Sequence, residues 1–245
     1  MSDHAPQRAD KFLVMQGYFD TRAQAQAAIK AGKVKVNGQR LKKSSQILSE
    51  TDMIDAKKLH PWVSRGGLKL AHALKIFDFN PSGLVCLDVG ASTGGFTDVL
   101  IAQGAAKVYA VDVGHDQLHQ KLINHPQIIS MEGQDARALS REMFDPLPRL
   151  IVCDTSFISA TKVLDKVLDM VTTGSHLITL VKPQFEVGKD GIGRGGLVRN
   201  NTLRDQALSD VTAWIGAKGW QVIATTSSPI KGGSGNHEFL LFAAK

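Results

Sequence analysis

Short apolar runs alternate with amphipathic helical stretches from residue 84 to the end of the chain, and this alternation limits the folds open to it. Several runs are continuously apolar, which is typical of strands in a sheet covered on both faces. Strands that alternate with helices are joined by right-handed crossovers and build a doubly wound sheet. The sequence therefore predicts an α/β fold. Its predicted strands are Leu84–Val89, Lys107–Val113, Ile128–Met131, Leu150–Cys153, His176–Val181, Gln221–Thr226 and Glu238–Phe242.

Helical patterns fill the connections between these strands. A Gly-rich loop joins the last two strands, which allows that pair to be antiparallel. The predicted helices are Phe96–Gln103, Gln117–Ile123, Thr161–Val171 and Asn201–Ala217, and a further helix carrying Lys69 precedes the first strand.

The first part of the chain has a different pattern, typical of a small α+β domain. Asp10–Gln16 and Thr21–Ala31 have the spacing of short amphipathic helices. Lys33–Val36 alternates as a strand, and Asn37-Gly38 is a strong tight-turn signal before a return strand at Gln39–Leu41. We therefore predict a domain over residues 1–60, a linker at about 57–63, and a second domain over 64–245.

The positive charge of the chain is concentrated in the first domain. Residues 1–60 hold 11 Lys and Arg against 6 Asp and Glu, whereas residues 61–245 hold 18 against 17. A basic module attached to a nearly neutral body indicates a polyanion partner, and nucleic acid is the usual one. The candidate phosphate contacts are Arg8, Arg22, Lys33, Lys35, Arg40, Lys42, Lys43 and, at the start of the second domain, Arg65.

Several classes of protein fit the sequence poorly. There is no run of 18 apolar residues, so we expect no membrane-spanning helix. The first ten residues lack a signal-peptide pattern, so we expect a cytoplasmic protein. Cys86 and Cys153 lie in apolar runs and are expected to be buried and reduced. No spacing of Cys or His suggests a metal site, and we expect no bound metal.

The turn after the first strand of the second domain predicts a ligand site. Asp88 precedes a glycine-rich turn, Gly90 to Gly95, after which a helix begins with free N–H groups. The pattern is not GxGxxG, which disfavours a nicotinamide oxidoreductase. A carboxylate at this position suits a cationic ligand, and S-adenosylmethionine carries both a sulfonium and an ammonium group. We therefore expect S-adenosylmethionine as the cofactor.

Further carboxylates follow the neighbouring strands, and together they strengthen this expectation. Ligands in such sheets bind beyond the carboxyl ends of the strands. Asp112 can accept both ribose hydroxyls of an adenosine, and Asp135 is a candidate for the adenine amino group. The predicted cofactor-binding residues are Asp88, Gly90, Ala91, Ser92, Thr93, Gly94, Gly95, Phe96, Asp112, Asp135, Ala136 and Asp154.

Two lysines and two acids are candidates for the reacting centre. Asp154 and Lys182 follow the fourth and fifth strands, Lys69 lies in the helix before the first strand, and Glu238 opens the last strand. Methyl transfer to an alcohol requires an oxygen in line with the methyl group, and the hydroxyl proton must leave. A lysine can accept that proton only when it is neutral.

The chain resembles the TlyA family of ribosomal RNA 2′-O-methyltransferases, often labelled haemolysins, over nearly its whole length. The stretches that carry the resemblance are VSRGGLKL at 63–70, DVGASTGGFTD at 88–98, DTSFIS at 154–159, LVKPQFEVG at 180–188 and GNHEFL at 235–240. The second domain is similar to FtsJ or RrmJ methyltransferases. The first resembles the S4 RNA-binding domain through Arg8-Ala-Asp10, Thr21-Arg22 and residues 31–38.

This resemblance implies a seven-stranded, mostly parallel, Rossmann-like class I methyltransferase and a Lys-Asp-Lys-Glu tetrad at Lys69, Asp154, Lys182 and Glu238. It implies that Lys182 accepts the proton and that the nucleophile is the 2′-hydroxyl of a cytidine in ribosomal RNA. The alternatives are a non-catalytic RNA-binding protein with a cofactor-like fold, or a haemolysin that acts indirectly.

Overall fold

The structure, a computed structural model, describes residues 6–245 and divides the chain into two compact units. The first unit ends at Pro61, and the second runs from Trp62 to Lys245. Residues 1–5, which belong to the predicted 1–60 domain, lie outside the described residues.

Short elements build the first unit. Within residues 6–61 they are β1 (Gln7–Arg8), α1 (Ala9–Met15), α2 (Arg22–Lys30), β2 (Val34–Val36), β3 (Gln39–Arg40), β4 (Ile47–Leu48) and β5 (Ile54–Ala56). The Thr21 hydroxyl caps α2 by accepting the N–H of Gln24. Asn37 and Gly38 join β2 to β3 with φ values of +52° and +81°, so the predicted tight turn is confirmed. The strands β1, β4 and β5 were not predicted.

A seven-stranded sheet organises the second unit. Its strands are β6 (Val85–Val89), β7 (Lys107–Asp112), β8 (Ile128–Glu132), β9 (Leu150–Cys153), β10 (His176–Val181), β11 (Gln221–Ser227) and β12 (Phe239–Ala244). The spatial order is β11-β12-β10-β9-β6-β7-β8. The five strands from β10 to β8 are parallel, whereas β12 runs antiparallel to both β10 and β11. The predicted α/β class, the mostly parallel sheet and the antiparallel final pair are confirmed.

Helices cover both faces of this sheet. They are α3 (Gly66–Ile76), α4 (Gly95–Ala102), α5 (Gln120–Ile123), α6 (Ala160–Met170), α7 (Pro183–Glu186) and α8 (Asn201–Ala217). Leu87 and Val89 of β6 belong to a core with α6 and α8, whereas Cys86, which precedes Leu87, belongs to a core with α3 and α4. This is why the strands are apolar on both faces. Cys86 and Cys153 are buried and free, as predicted.

The helix predicted over Gln117–Ile123 is wrong at its start, because α5 begins only at Gln120. The carboxylate of Glu132 accepts the N–H groups of Asp116, Gln117 and Leu118 at 3.2, 2.7 and 3.0 Å. These hydrogen bonds hold the segment in a turn at the end of β8. Glu238, predicted to open the last strand, lies one residue before β12.

None of the helices in the described part of the chain is both long and apolar enough to cross a membrane.

Gly94 is required for the start of α4 by two independent constraints. Its φ is +87°, and a Cβ atom there would overlap a methyl group of Leu122 and lie 2.8 Å from one of Leu118. Gly219 has a φ of +77°, but a Cβ atom there would meet nothing within 4 Å.

We expect Gly94→Ala to destabilise the protein more than Gly219→Ala. Both substitutions force a left-handed backbone on alanine, at about 1–2 kcal/mol, but only Gly94→Ala adds an overpacking cost of about 1–3 kcal/mol. Urea unfolding of the two variants measures the difference. An equal loss of unfolding free energy in the two variants would show that Leu118 and Leu122 move to accommodate the new methyl group without an energetic penalty.

Candidate active site

The carboxyl ends of four parallel strands bring the predicted polar residues to one edge of the sheet. Asp88 is the fourth residue of β6 and Asp112 is the last residue of β7. Asp154 directly follows β9, and Lys182 directly follows β10. Since these strands are adjacent and parallel in the order β10-β9-β6-β7, the residues beyond them face a common crevice.

Asp88 is fully buried, with one carboxylate oxygen that no group in the described chain satisfies. The Thr97 hydroxyl donates to its Oδ2 at 2.6 Å, while its Oδ1 has no hydrogen-bond partner. Burial raises the pKa of Asp88 to about 7, helped by the charges of Asp154 and Asp112 and opposed by Thr97. A cationic ligand would satisfy this oxygen and remove the cost of its burial.

The carboxylate of Asp112 connects two loops at the end of its strand. Its Oδ2 accepts the N–H of Ser92 and its Oδ1 accepts the N–H of Gly114, both at 2.8 Å. A carboxylate oxygen has more than one acceptor direction, so ribose hydroxyls can still approach the outer side of Asp112.

Asp135 does not lie at a strand end, where the sequence pattern put the third acid. β8 ends at Glu132, and Asp135 caps the 3₁₀ turn Ala136–Ala138 by accepting the N–H of Arg137 at 2.9 Å. The Arg137 side chain lies 2.6 Å from Asp135 and lowers the pKa of that carboxyl group. Sequence reasoning missed Glu132, because its three backbone partners lie 14 to 16 residues away along the chain.

The glycines of the turn at 90–95 are needed for packing against the protein itself. A Cβ atom on Gly90 would lie 2.9 Å from Thr155 Cγ2, and one on Gly95 would overlap the Ser64 hydroxyl. The expectation that they mainly admit a ligand is therefore incomplete. Ala91, Gly94 and Phe96 are buried, whereas Ser92 and Thr93 are exposed. Of the predicted set, Ser92 and Thr93 offer side chains to a ligand.

The four residues of the predicted tetrad form one chain of ion pairs. Lys182 Nζ lies 2.5 Å from Asp154 Oδ1, Lys69 Nζ lies 3.2 Å from Asp154 Oδ2, and Lys69 Nζ lies 2.8 Å from Glu238 Oε2. Both lysines and Glu238 are buried. Burial alone would raise the pKa of Asp154, but Lys182 and Lys69 hold it below its ordinary value. Asp154 is therefore a carboxylate shared by two lysines.

Two further contacts hold the ends of this cluster. The Ser156 hydroxyl accepts from Lys182 Nζ at 3.0 Å, so Lys182 has a second partner besides Asp154. A Cβ atom on Gly232 would overlap Glu238 Oε1, so a glycine is needed beside that carboxylate. Neither residue stood out in the sequence.

An aromatic pair, the exposed Phe157 and the half-buried Phe185, lies beside the cluster and was also missed. Phe157 is 92% exposed and has a φ of +66°, a backbone conformation that costs a non-glycine residue free energy. Its ring centroid is 5.6 Å from that of Phe185, and Lys182 Nζ lies 6.0 Å from the Phe185 centroid. The sequence could not reveal the exposure of Phe157, because a phenylalanine is normally buried.

In the first unit, the basic side chains predicted to contact phosphate have different surroundings. Asp10 is fully buried and accepts two hydrogen bonds from Arg8 at 3.1 Å, one from Arg22 at 2.9 Å and one from Gln26 at 2.6 Å. The pKa of Asp10 is held well below its usual range, mainly by the hydrogen bond from Arg8. Gln26 and Arg22 also lower this pKa, and burial opposes them. Arg8 and Arg22 are therefore oriented but half-exposed.

Arg40 is also oriented, since it packs over Gly32 and donates to the Lys30 carbonyl oxygen at 3.2 Å. The remaining predicted contacts are exposed, and they are Lys33, Lys35, Lys42 and Lys43 in the first unit and Arg65 in the second.

Among residues 6–245, no group of three or more His, Cys, Asp or Glu side chains is arranged to hold a metal ion.

The chain matches two protein-family models, FtsJ-like methyltransferase over residues 62–245 and S4 domain over residues 7–54. It is 41% identical over 234 residues to Hemolysin A of Brachyspira hyodysenteriae, covering 95% of this chain and 98% of that protein. It is 40% identical over 239 residues to the 16S/23S rRNA (cytidine-2′-O)-methyltransferase TlyA of Mycobacterium tuberculosis, covering 96% and 88%. A solved structure titled as a hemolysin of Streptococcus thermophilus has a TM-score of 0.78 and 39% identity, covering 98% and 88%.

We expect Asp10→Ala to loosen the first unit, because it leaves two arginines and Gln26 without their shared acceptor. A loss of about 1–2 kcal/mol is expected for hydrogen bonds from charged donors that water can partly replace. Hydrogen–deuterium exchange of the amides in α1 and α2 should be about tenfold faster. Asp55→Ala, at an exposed position of β5, is the matched control. Unchanged exchange in Asp10→Ala would show that the buried carboxylate does not stabilise these helices.

Proposed function

The chain belongs to the FtsJ-like methyltransferase family, and we propose that it transfers a methyl group from S-adenosylmethionine to the ribose 2′-hydroxyl of a cytidine in ribosomal RNA. The family match over residues 62–245 and the curated relative with this activity support the reaction. The S4 match supports RNA as the substrate. We assign RNA binding to residues 1–60 and catalysis to residues 64–245, and we propose that the enzyme acts in the cytoplasm, where ribosomal RNA is found.

The observation that carries the proposal is the buried chain of Lys182, Asp154, Lys69 and Glu238 beside the unpartnered oxygen of Asp88. That oxygen fits a cationic cofactor. When bound, S-adenosylmethionine supplies an electrophilic methyl group on a sulfonium. We assign its amino-acid portion to Asp88, with Ser92 and Thr93 of the glycine-rich turn alongside, and its adenosine to Asp112 with Asp135 and Ala136.

The tetrad orients and deprotonates the acceptor. Asp154 and Ser156 occupy two of the directions around Lys182 Nζ and leave a third for the ribose 2′-oxygen. Lys182 in its neutral form accepts the hydroxyl proton, and holding the oxygen in line contributes most of the rate. Lys69 and Glu238 fix Asp154 from its other side, so Lys182 keeps one position.

The exposed side chains complete the acceptor site. Phe157 and Phe185 offer ring faces on which the base of the target nucleotide can stack, a contact typical of proteins that bind unpaired RNA bases. The basic residues oriented in the first unit, Arg8, Arg22 and Arg40, contact phosphates and supply affinity without choosing the sequence.

Transfer of tritiated methyl groups to ribosomal subunits tests the reaction. Wild-type protein should label the ribose 2′-oxygen of a cytidine in at least one of the small subunit, the large subunit and the assembled ribosome. We expect Lys182→Ala to lower the rate by at least about 100-fold, the usual contribution of a general base, with S-adenosylmethionine binding retained.

The control for this experiment is Lys166→Ala, which removes an exposed lysine of α6. Binding of RNA by wild type without any labelling would favour the non-catalytic alternative. Equal labelling by wild type and Lys182→Ala would contradict only the role of Lys182.

The raised pKa of Asp88 predicts a pH dependence with a defined sign. Its ordinary value is 3.8 and burial raises it to about 7, so the cofactor-free protein should lose stability as pH rises from about 4 to about 7. The ionised carboxylate binds the cation, so the affinity for S-adenosylmethionine should instead rise as pH passes through about 7.

Calorimetric titration of wild type and Asp88→Asn with S-adenosylmethionine across this range measures the effect. The titration of the cofactor's own amine is common to both proteins, so the difference isolates Asp88. Parallel pH profiles for the two proteins would show that Asp88 does not contact the cation.

A further inference from the structure

Two hydrogen bonds connect the loop after β10 to the start of α6. The carboxylate of Glu186 accepts the Ser159 hydroxyl at Oε2, at 2.6 Å, and the N–H of Ala160 at Oε1, at 2.8 Å. Ala160 is the first residue of α6, so Glu186 satisfies an N–H group that has no partner within its helix. Its negative charge also lies at the positive end of the helix dipole.

A second connection lies at the other end of the same segment. Lys182 Nζ donates to the Ser156 hydroxyl at 3.0 Å. Lys182 directly precedes the short helix α7 (Pro183–Glu186), and Glu186 is its last residue. The two ends of α7 are therefore bonded to the two ends of residues 156–159. Phe157, with its left-handed backbone and exposed ring, lies between the two attachment points.

Such a backbone persists only when the surrounding contacts determine it. Ser156 is hydrogen-bonded to Lys182, and Ser159 is hydrogen-bonded to Glu186. Phe157 itself is 92% exposed, so burial of its ring does not stabilise this conformation. Glu186 supplies both bonds at the Ser159 end. Without them, the segment can relax to negative φ and move the Phe157 ring away from Phe185.

We propose that Glu186 is a positioning residue for the acceptor nucleotide, which acts by holding Phe157 in its left-handed conformation beside Phe185. This rests on the proposed function, in which the two rings stack on the base of the target nucleotide. The hydrogen bonds of the Glu186 carboxylate go to Ser159 and Ala160, which belong neither to the tetrad nor to the predicted cofactor residues, so its effect should fall on the RNA substrate.

Methyl transfer to ribosomal subunits by Glu186→Ala, Glu186→Gln and wild type tests this role. Glutamine can accept from Ala160 at its oxygen and donate to Ser159 at its nitrogen, so it can preserve both connections without the charge. We expect Glu186→Ala to lower kcat/KM for the subunit between about tenfold and about 100-fold, as for a misplaced substrate. Glu186→Gln should restore most of it, and the Kd for S-adenosylmethionine should stay within about twofold of wild type in both.

A double-mutant cycle with Phe157→Ala separates positioning from a purely structural effect. If Glu186 acts through Phe157, adding Glu186→Ala to Phe157→Ala should cost little more activity. Multiplicative losses in the double variant would overturn the proposal. Ser159→Ala provides a second variant if Glu186→Ala is poorly folded, and it removes one of the two bonds together with the Ser159 cap on the Thr161 N–H.

The control is Glu142→Ala, at an exposed position of the 3₁₀ turn Arg141–Met143. Wild type is measured first, so that failure of the proposed function can be distinguished from failure of the role proposed for Glu186. If wild type methylates no ribosomal substrate, the proposed function fails. If wild type is active and Glu186→Ala matches it, or if Glu186→Ala weakens S-adenosylmethionine binding as much as subunit methylation, the role of Glu186 fails.

Discussion

The ion pairs of the Asp154 carboxylate with Lys182 and Lys69 are the interactions on which the candidate active site depends. Burying one of these charges alone would be costly, and removing one partner would leave the other uncompensated. The chain Lys182–Asp154–Lys69–Glu238 alternates in sign and holds two positive and two negative groups. The four side chains can therefore be largely removed from solvent as a unit, which keeps the Lys182 amine at a fixed position.

The topology of this sheet assembles that chain. Asp154 and Lys182 follow β9 and β10, which are parallel neighbours, so both lie at the carboxyl edge. β12 runs antiparallel to β10, with Phe239 opposite Val181, so the start of β12 lies at the same edge. Glu238, one residue earlier, thereby reaches Lys69. The reversed strand, which departs from an otherwise parallel sheet, is what brings the fourth member of the tetrad to the site.

The strands and polar residues of this site could be predicted from the sequence better than the contacts between residues that are distant along the chain. Continuous apolar runs predicted the strands, and the polar residues at their carboxyl ends, Asp88, Asp112, Asp154 and Lys182, were predicted to lie at the crevice. The roles of Gly94 and Gly95 could not be predicted, because each packs against a residue distant along the chain, Leu122 or Ser64. The exposure of Phe157 could not be predicted either, since its neighbours Ser156 and Ser159 are hydrogen-bonded to Lys182 and Glu186, more than 25 residues away along the chain.

Both units use an aspartate to orient two basic side chains, and the type of base fits the role that we propose for each unit. Asp10 holds Arg8 and Arg22, which remain half-exposed, whereas Asp154 holds Lys69 and Lys182, which are buried. A guanidinium has five N–H donors and never loses its charge, so an arginine can bind Asp10 and still contact a phosphate. A lysine has fewer donors, but it can lose a proton. A group that accepts a proton in the reaction must first have lost its own. In the proposed function, the arginines, which keep their charge, bind RNA, and a lysine, which can lose its proton, takes part in the chemistry.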